Sequence, residues 1–353
     1  MAKIATPLTK LLGIDHPVML AGMNAVAHAE LVAAVTNGGG MGTIGGLLLS
    51  PKALKKEIDE AKALITDKAN PRFGVDLAIP QIGGGARATN HDYTHGQLPG
   101  LIDVIVEERA SLFVCAIGVP PRWAVDKLHA AGIPVMNMIG HPKHVKKALD
   151  AGVDIICAQG SEGGGHTGDI ATTVLIPQVV DCCRGKISPL TGEQVLVVAA
   201  GGIFDGRGLA AALAWGASGV WVGTRFIASP EAAAPDRHKD GVLGAQATDT
   251  VRTLIYSGRP VRTLMTPYVR SWEEGRQAEI RALCAAGKVP MEAEMKAMQE
   301  KGQKFSFAKA FPMLMGQCAG PVTEITPAAQ IVVEMVEDAA AVMAQNAALV
   351  SRL

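Results

Sequence analysis

With 353 residues, the chain is long enough for two domains of ordinary size, or for one α/β barrel of about 250 residues with an addition. Lysine plus arginine number 33 and so do aspartate plus glutamate, so there is no net basic field to draw in phosphate backbones, and nucleic-acid binding is not expected. A hydrophobic share of 48% excludes a disordered chain, and no apolar run approaches the roughly 20 residues that span a bilayer, so no membrane association is expected.

Residues 1–17 mix Lys3, Lys10 and Asp15 with apolar side chains and lack the apolar core of a secretory signal, so a cytoplasmic start is expected. The first β-type run, 16–21 (HPVMLA), leads into Ala21-Gly22-Met23-Asn24. These are small residues followed by a flexible thioether and an amide, a set suited to backing a flat apolar ring, although Met23 would fill a core gap equally well. A helix over 29–37, a second run at 41–46 (MGTIGG) and a helix over 51–65 follow; Lys55, Lys56, Glu57 and Glu60 fall on the wet side of that helix. The third run, 72–78 (RFGVDLA), carries Asp76 near its end.

Residues 81–100 are polar and Gly-rich and read as a long loop. The loop holds His91 and His95 in HDYTH, a spacing that would put both rings on one helix face beside a metal. Nearby Gly and Pro break helices and no third ligand is evident, so no metal site is expected. Runs at 111–117, 133–139 (with Met138) and 153–159 alternate with helices over 122–131 and 143–151. The sixth run ends on Gln159, which, like Asp76, puts a polar group at a strand end, able to reach ring heteroatoms or to satisfy backbone. Runs at 195–200 and 219–224 flank a helix over 206–215, and Gly132, Gly152 and Gly216 sit where left-handed caps end helices.

Eight apolar runs alternating with helices imply a parallel sheet with right-handed crossovers, hence an α/β fold of the (β/α)8 TIM barrel type. A doubly wound sheet would place a glycine fingerprint after the first strand, and AGMNAVAHAE lacks one. The barrel is expected over 1–230. Residues 231–353 change character, with helical spacing at 279–303 and 326–350, and are expected to form a mainly helical extension over or beside the barrel, Pro327 falling in the first turn of the last helix.

Three glycine clusters carry the chemistry. AAGGIFDGRG (199–208) and GVWVGTRFIAS (219–229) follow the last two runs, and Gly201, Gly202, Gly223 and Thr224 would offer backbone N–H groups to a phosphate. Asp205 would cap the next helix and Arg207 face solvent. AQGSEGGGHTGDI (158–170) brings His166 through five glycines, Gly164 and Gly165 among them, to the barrel mouth. An imidazole there suits proton abstraction near neutral pH, with Glu162 either orienting it or solvated. The six cysteines form no CxxC pair and read as reduced thiols. The motifs of serine hydrolases, zincins and P-loop proteins are missing.

Together HPVMLAGM, AQGSEGGGHTGD, AAGGIFDGRG and GVWVGTRF resemble the nitronate monooxygenase family over residues 7–229. The resemblance implies an FMN-dependent TIM barrel in which Gly201, Gly202, Gly223 and Thr224 hold the flavin phosphate and His166 is the catalytic base. Residues Ala21, Gly22, Met23, Asn24, Asp76, Met138, Gln159, Gly164 and Gly165 would complete the cofactor site. It further implies oxidation of alkyl nitronates, propionate 3-nitronate or nitroalkanes by O2 to a carbonyl compound and nitrite. The Ala- and Met-rich helical stretches 292–299 and 332–347 read either as subunit contacts of a homo-oligomer or as core. Some relatives have Asn where this chain has Asp76 and Lys where it has Met138, which bears on substrate preference. An NAD(P)H-dependent flavin reductase acting on quinones or enoyl thioesters is the alternative on the same barrel, and a non-catalytic flavin-binding protein a third. Ser351-Arg352-Leu353 approximates a peroxisomal address, which would apply in a eukaryote.

Overall fold

In the computed structural model, residues 2–349 are described; Ser351-Arg352-Leu353 lies outside them. Each of the eight apolar runs contributes one barrel strand: β1 (Val18–Leu20), β2 (Thr43–Gly45), β3 (Gly74–Ala78), β4 (Leu112–Ala116), β5 (Val135–Ile139), β6 (Ile155–Gln159), β8 (Leu196–Ala200) and β9 (Gly219–Val222). They pair in parallel in the order β1-β9-β8-β6-β5-β4-β3-β2. Met41, two residues before β2, donates to Val18 O (3.0 Å) and accepts from Leu20 N (2.9 Å), which closes the ring. The expected TIM barrel is present.

Alternation along each strand sorts the core. Met19, Leu112, Val114, Met136, Ile155, Cys157, Val198 and Trp221 point inward as one apolar cluster, joined by Leu8 and Leu12 of the short helix Pro7–Leu12. Leu8 abuts Gly219 at the start of β9, so this helix plugs the N-terminal end. Outward residues such as Val75, Leu77, Phe113 and Ile156 meet the helices. At the C-terminal strand ends the inner cluster narrows to the small Ala200, and the space above it is left to a ligand.

Beyond residue 230 the chain is not only helical. Strands β10 (Thr250–Thr253) and β11 (Val261–Leu264) form an antiparallel hairpin, and β11 pairs with the two-residue strand β7 (Gly165–His166), Val261 lying opposite His166. Short segments such as TVRT and VRTL carry little periodicity; they become strands because a partner arrives from far along the chain. The last helix, Ala328–Ala348, has Pro327 as its N-cap rather than in its first turn. It returns to the barrel wall and packs against helices Gly206–Ala214 and Ala29–Asn37. At the crossing a Cβ on Gly206 would lie 2.4 Å from Ala339 N, so glycine is what permits this approach. The helix fills the outer position between the first and last βα units.

Residues 81–97 are irregular, and a helix begins at Leu98. HDYTH forms a turn with the His91 and Tyr93 rings 4.3 Å apart, so His91 and His95 do not share a helix face. Among the described residues, no helix is long and apolar enough to cross a membrane.

Candidate active site

A cavity of about 760 Å³ opens at the C-terminal ends of the barrel strands. Its floor is the inward layer at those strand ends, including Ala21, Asp76, Ala116, Met138, Gln159 and Ala200. Every residue singled out above for cofactor binding, from Ala21 to Thr224, lines this one cavity together with His166.

One end is built from backbone. Gly201 and Gly202 both have left-handed φ, 94° and 73°, and a Cβ on Gly201 would lie 2.9 Å from Gly160 O. The amides of Gly201, Gly202 and Gly223 donate to no acceptor among the described residues, and Thr224 heads the one-turn helix Thr224–Ile227. Such a cradle of N–H groups suits a phosphate. Thr224 Oγ1 accepts from Gly316 N at 2.9 Å, which ties the C-terminal segment to this loop. Asp205 accepts from Gly208 N at 3.0 Å as the cap of its helix, and the exposed Arg207 pairs with it. Glu162 neither orients His166 nor stands free in solvent: it accepts from Thr172 N at 3.0 and 3.1 Å and so caps helix Thr172–Cys183.

The middle of the cavity is apolar apart from Asp76 and Gln159. Gln159 Nε2 donates to His166 O (3.0 Å) and Gly164 O (3.3 Å), so of its two expected uses the amide takes the backbone one and braces the glycine loop. Asp76 is buried against Gly22, whose Cβ, if present, would stand 2.4 Å from Asp76 Cβ. Its Oδ1 has no hydrogen-bond partner, and burial pushes the carboxyl pKa up to about 8. Met138 and Met23 are half-buried in the same wall. Beside them Ile117 holds φ 70° with Gly118 N donating to Ala116 O at 2.8 Å, a γ-turn that a β-branched residue rarely adopts. Buried Asn137 clamps it through Nδ2, which donates to Cys115 O (2.9 Å) and Gly118 O (2.7 Å).

His166 sits on β7, held by its pairing with β11 rather than loose on a glycine loop. Its Nε2 lies 2.9 Å from Ser257 Oγ, and Nδ1 has no partner among the described residues. Burial, then the nearby Arg259 guanidinium, pull its pKa down to about 4, so the ring is neutral at neutral pH.

Sequence reasoning missed the far wall: Arg252, Arg259, Pro260, His238, Phe311 and Leu314 also line the cavity. The signal for the first three was local, since Ser257-Gly258-Arg259-Pro260 between two β-branched runs marks a hairpin turn. Exposed Arg87, Lys143 and His144 line its solvent end. Arg252 pairs with Asp169, whereas Arg87, Lys143 and Arg259 form no ion pair among the described residues.

The nitronate monooxygenase family model matches residues 5–338. The chain is 38% identical over 295 residues to a (3aS,4S,5R,7aS)-5-hydroxy-7a-methyl-1-oxo-octahydro-1H-indene-4-carboxyl-CoA dehydrogenase of Mycobacterium tuberculosis, covering 83% of this chain and 76% of that protein. The protein of the same name from Rhodococcus jostii is 39% identical, with 82% and 73% covered. Among solved structures, FabK from Thermotoga maritima superposes with TM-score 0.78 at 28% identity, over 98% of this chain and 100% of that one. A nitroalkane oxidase from Streptomyces ansochromogenes gives TM-score 0.78 at 25% identity, over 96% and 99%. With its barrel, its glycine cradle and a match over nearly its whole length, the chain belongs to the nitronate monooxygenase family of flavin-dependent oxidoreductases.

Proposed function

We propose that this protein uses FMN to oxidise a coenzyme A thioester at a carbon near its carbonyl. The observation that carries the reading is the positive side of the cavity, where Arg87 and Lys143 at the solvent end and Arg259 on the far wall have no carboxylate partner among the described residues. A ligand with several phosphates meets that charge, and the two relatives named above at 38% and 39% identity are carboxyl-CoA dehydrogenases by name. The cavity residues fit a flavin: backbone N–H groups of Gly201, Gly202, Gly223 and Thr224 for its phosphate, and the flat wall of Ala21, Gly22 and Met23 with the unpaired Asp76 for its ring.

When bound, the flavin supplies a two-electron acceptor, chemistry no side chain here provides. His166 presents a neutral imidazole, able to take a proton from substrate carbon or oxygen while Ser257 fixes its Nε2 side. Gln159 and the β7–β11 pairing hold that ring in place, and the hairpin and residues 311–318 screen it from water.

A second reading is oxidation of alkyl nitronates or nitroalkanes with O2 to a carbonyl compound and nitrite. It is favoured by the family match and by the likeness to the nitroalkane oxidase. His166 would then remove the α-proton of a nitroalkane or hold the nitronate. An anaerobic absorbance titration separates the readings. The flavin peaks should bleach with cyclohexanecarboxyl-CoA. Bleaching only by propionate 3-nitronate would favour nitronate oxidation, and bleaching only by NADH or NADPH would assign a reductase.

A further inference from the structure

We propose that Asp76 carries a proton in the resting protein and donates it in a hydrogen bond to the flavin ring edge, so that this side chain makes flavin binding depend on one proton. The inference rests on the flavin reading above and deepens it.

The geometry leaves few alternatives for this carboxyl. Asp76 is the inward residue near the end of β3, with Gly45 of β2 and Val114 of β4 as its register neighbours. Gly22 is pressed against its side chain from the loop after β1. None of these segments (Ala21-Gly22-Met23-Asn24, β2 or β4) contains a lysine, arginine or histidine. The titratable groups nearest it are the thiols of Cys157, inward on β6, and Cys115, outward on β4, both buried and both pushed up by burial first and by Asp76 second, so they stay neutral.

A buried carboxylate with neither cation nor N–H donor bears the full desolvation penalty, whereas the protonated acid needs only an acceptor. Neither carboxyl oxygen has a hydrogen-bond partner in the chain: Oδ1 is sealed by protein, and Oδ2 is the one left towards the cavity that Asp76 lines, where an acceptor would arrive. The ring edge of a flavin offers carbonyl oxygens and ring nitrogens of that kind. Once ionised, Asp76 would present lone pairs to those same acceptors and repel them. A carboxylic acid held neutral by an apolar site in order to donate a hydrogen bond is a known device of enzymes.

With the free-protein value pushed up to about 8, the sign follows from linkage. Flavin selects the protonated form, so affinity is constant below that pH and weakens above it by about tenfold per pH unit. The test is the FMN dissociation constant, read by flavin fluorescence from pH 6 to 10, for the wild type and for Asp76→Asn. Asparagine keeps an N–H donor and cannot titrate, and ionisation of the flavin itself is common to both proteins. We expect the wild-type constant to rise above about pH 8 relative to that of D76N, and D76N to bind with no such step. Identical pH profiles would overturn the inference while leaving the flavin reading intact. Failure of both proteins to bind flavin at any pH would overturn both. An infrared carboxylic C=O band at pH 7, present in the flavin-free wild type and lost in D76N, reads the proton without flavin; its absence from the wild type would also overturn the inference.

Discussion

His166 and Asp76 stand in one cavity and are shifted in opposite directions by the same cause, burial without a compensating charge. For His166 the folded protein binds fewer protons than the unfolded chain between about pH 4 and the ordinary histidine range. The stability its neutral form contributes is therefore full above that range and is lost as pH falls. Flavin-free His166→Asn should lose less melting temperature than the wild type between pH 7 and pH 5, as followed by circular dichroism. The same variant should lower turnover by about 10²- to 10⁴-fold if the ring transfers a proton, with the flavin spectrum retained. Turnover within threefold of the wild type would remove His166 from the chemistry. Both side chains were legible as site residues, because each is a polar residue at the end of an apolar run or within a glycine loop. Their protonation was not, since it depends on which charges fail to reach them.

Among the elements, the hairpin of β10 and β11 matters most to the site. It delivers Ser257 and Arg259 to His166 and extends β7 into a three-stranded sheet. Arg262 locks it: though buried, this side chain donates from Nε to Ser161 O (2.9 Å) and from Nη1 to Thr250 Oγ1 (3.0 Å). Removing a charged donor from a buried carbonyl costs about 1.5–3 kcal/mol. Arg262→Ala should therefore speed hydrogen exchange at residues 165–167 by at least tenfold, with barrel amides such as Val198 unchanged. Exchange rising equally throughout the barrel would show that the hairpin and barrel open as one unit. The barrel strands themselves were legible from their apolar runs, whereas the hairpin was obscured because its strands show neither an apolar run nor alternation: β10 is buried only at Thr253, and β11 buries Val261, Arg262 and Thr263 alike.

At the scale of the whole molecule, a chain with zero formal charge still gathers cations at one opening. Net charge is silent about this because it sums 33 basic and 33 acidic residues over the whole chain, wherever they lie. If the opening receives the phosphates of coenzyme A, replacing Arg87 and Lys143 together by alanine should raise KM for the thioester roughly tenfold, about 1.4 kcal/mol, and leave kcat within twofold. The effect should shrink in high salt. An unchanged KM would take the phosphates away from these residues. The last helix, Ala328–Ala348, belongs to this scale too: it completes the outer ring only because Gly206, over a hundred residues earlier, leaves room for it.

By itself the amino-acid sequence determined the eight strands, the barrel they form, the glycine cradle and the residues of the cavity that the barrel itself contributes. Those features depend on neighbours a few positions apart, and continuous apolar runs and glycine clusters write them into short stretches of chain. The tertiary structure alone decided what each site residue touches. Ser257 meets His166 across 91 positions and Arg262 meets Ser161 across 101. Gln159 turned to the backbone, Glu162 to a helix end, and Asp76 to no partner in the chain. Contacts of that kind exist only after the ring closes and the C-terminal segment folds over it, and no local periodicity records them.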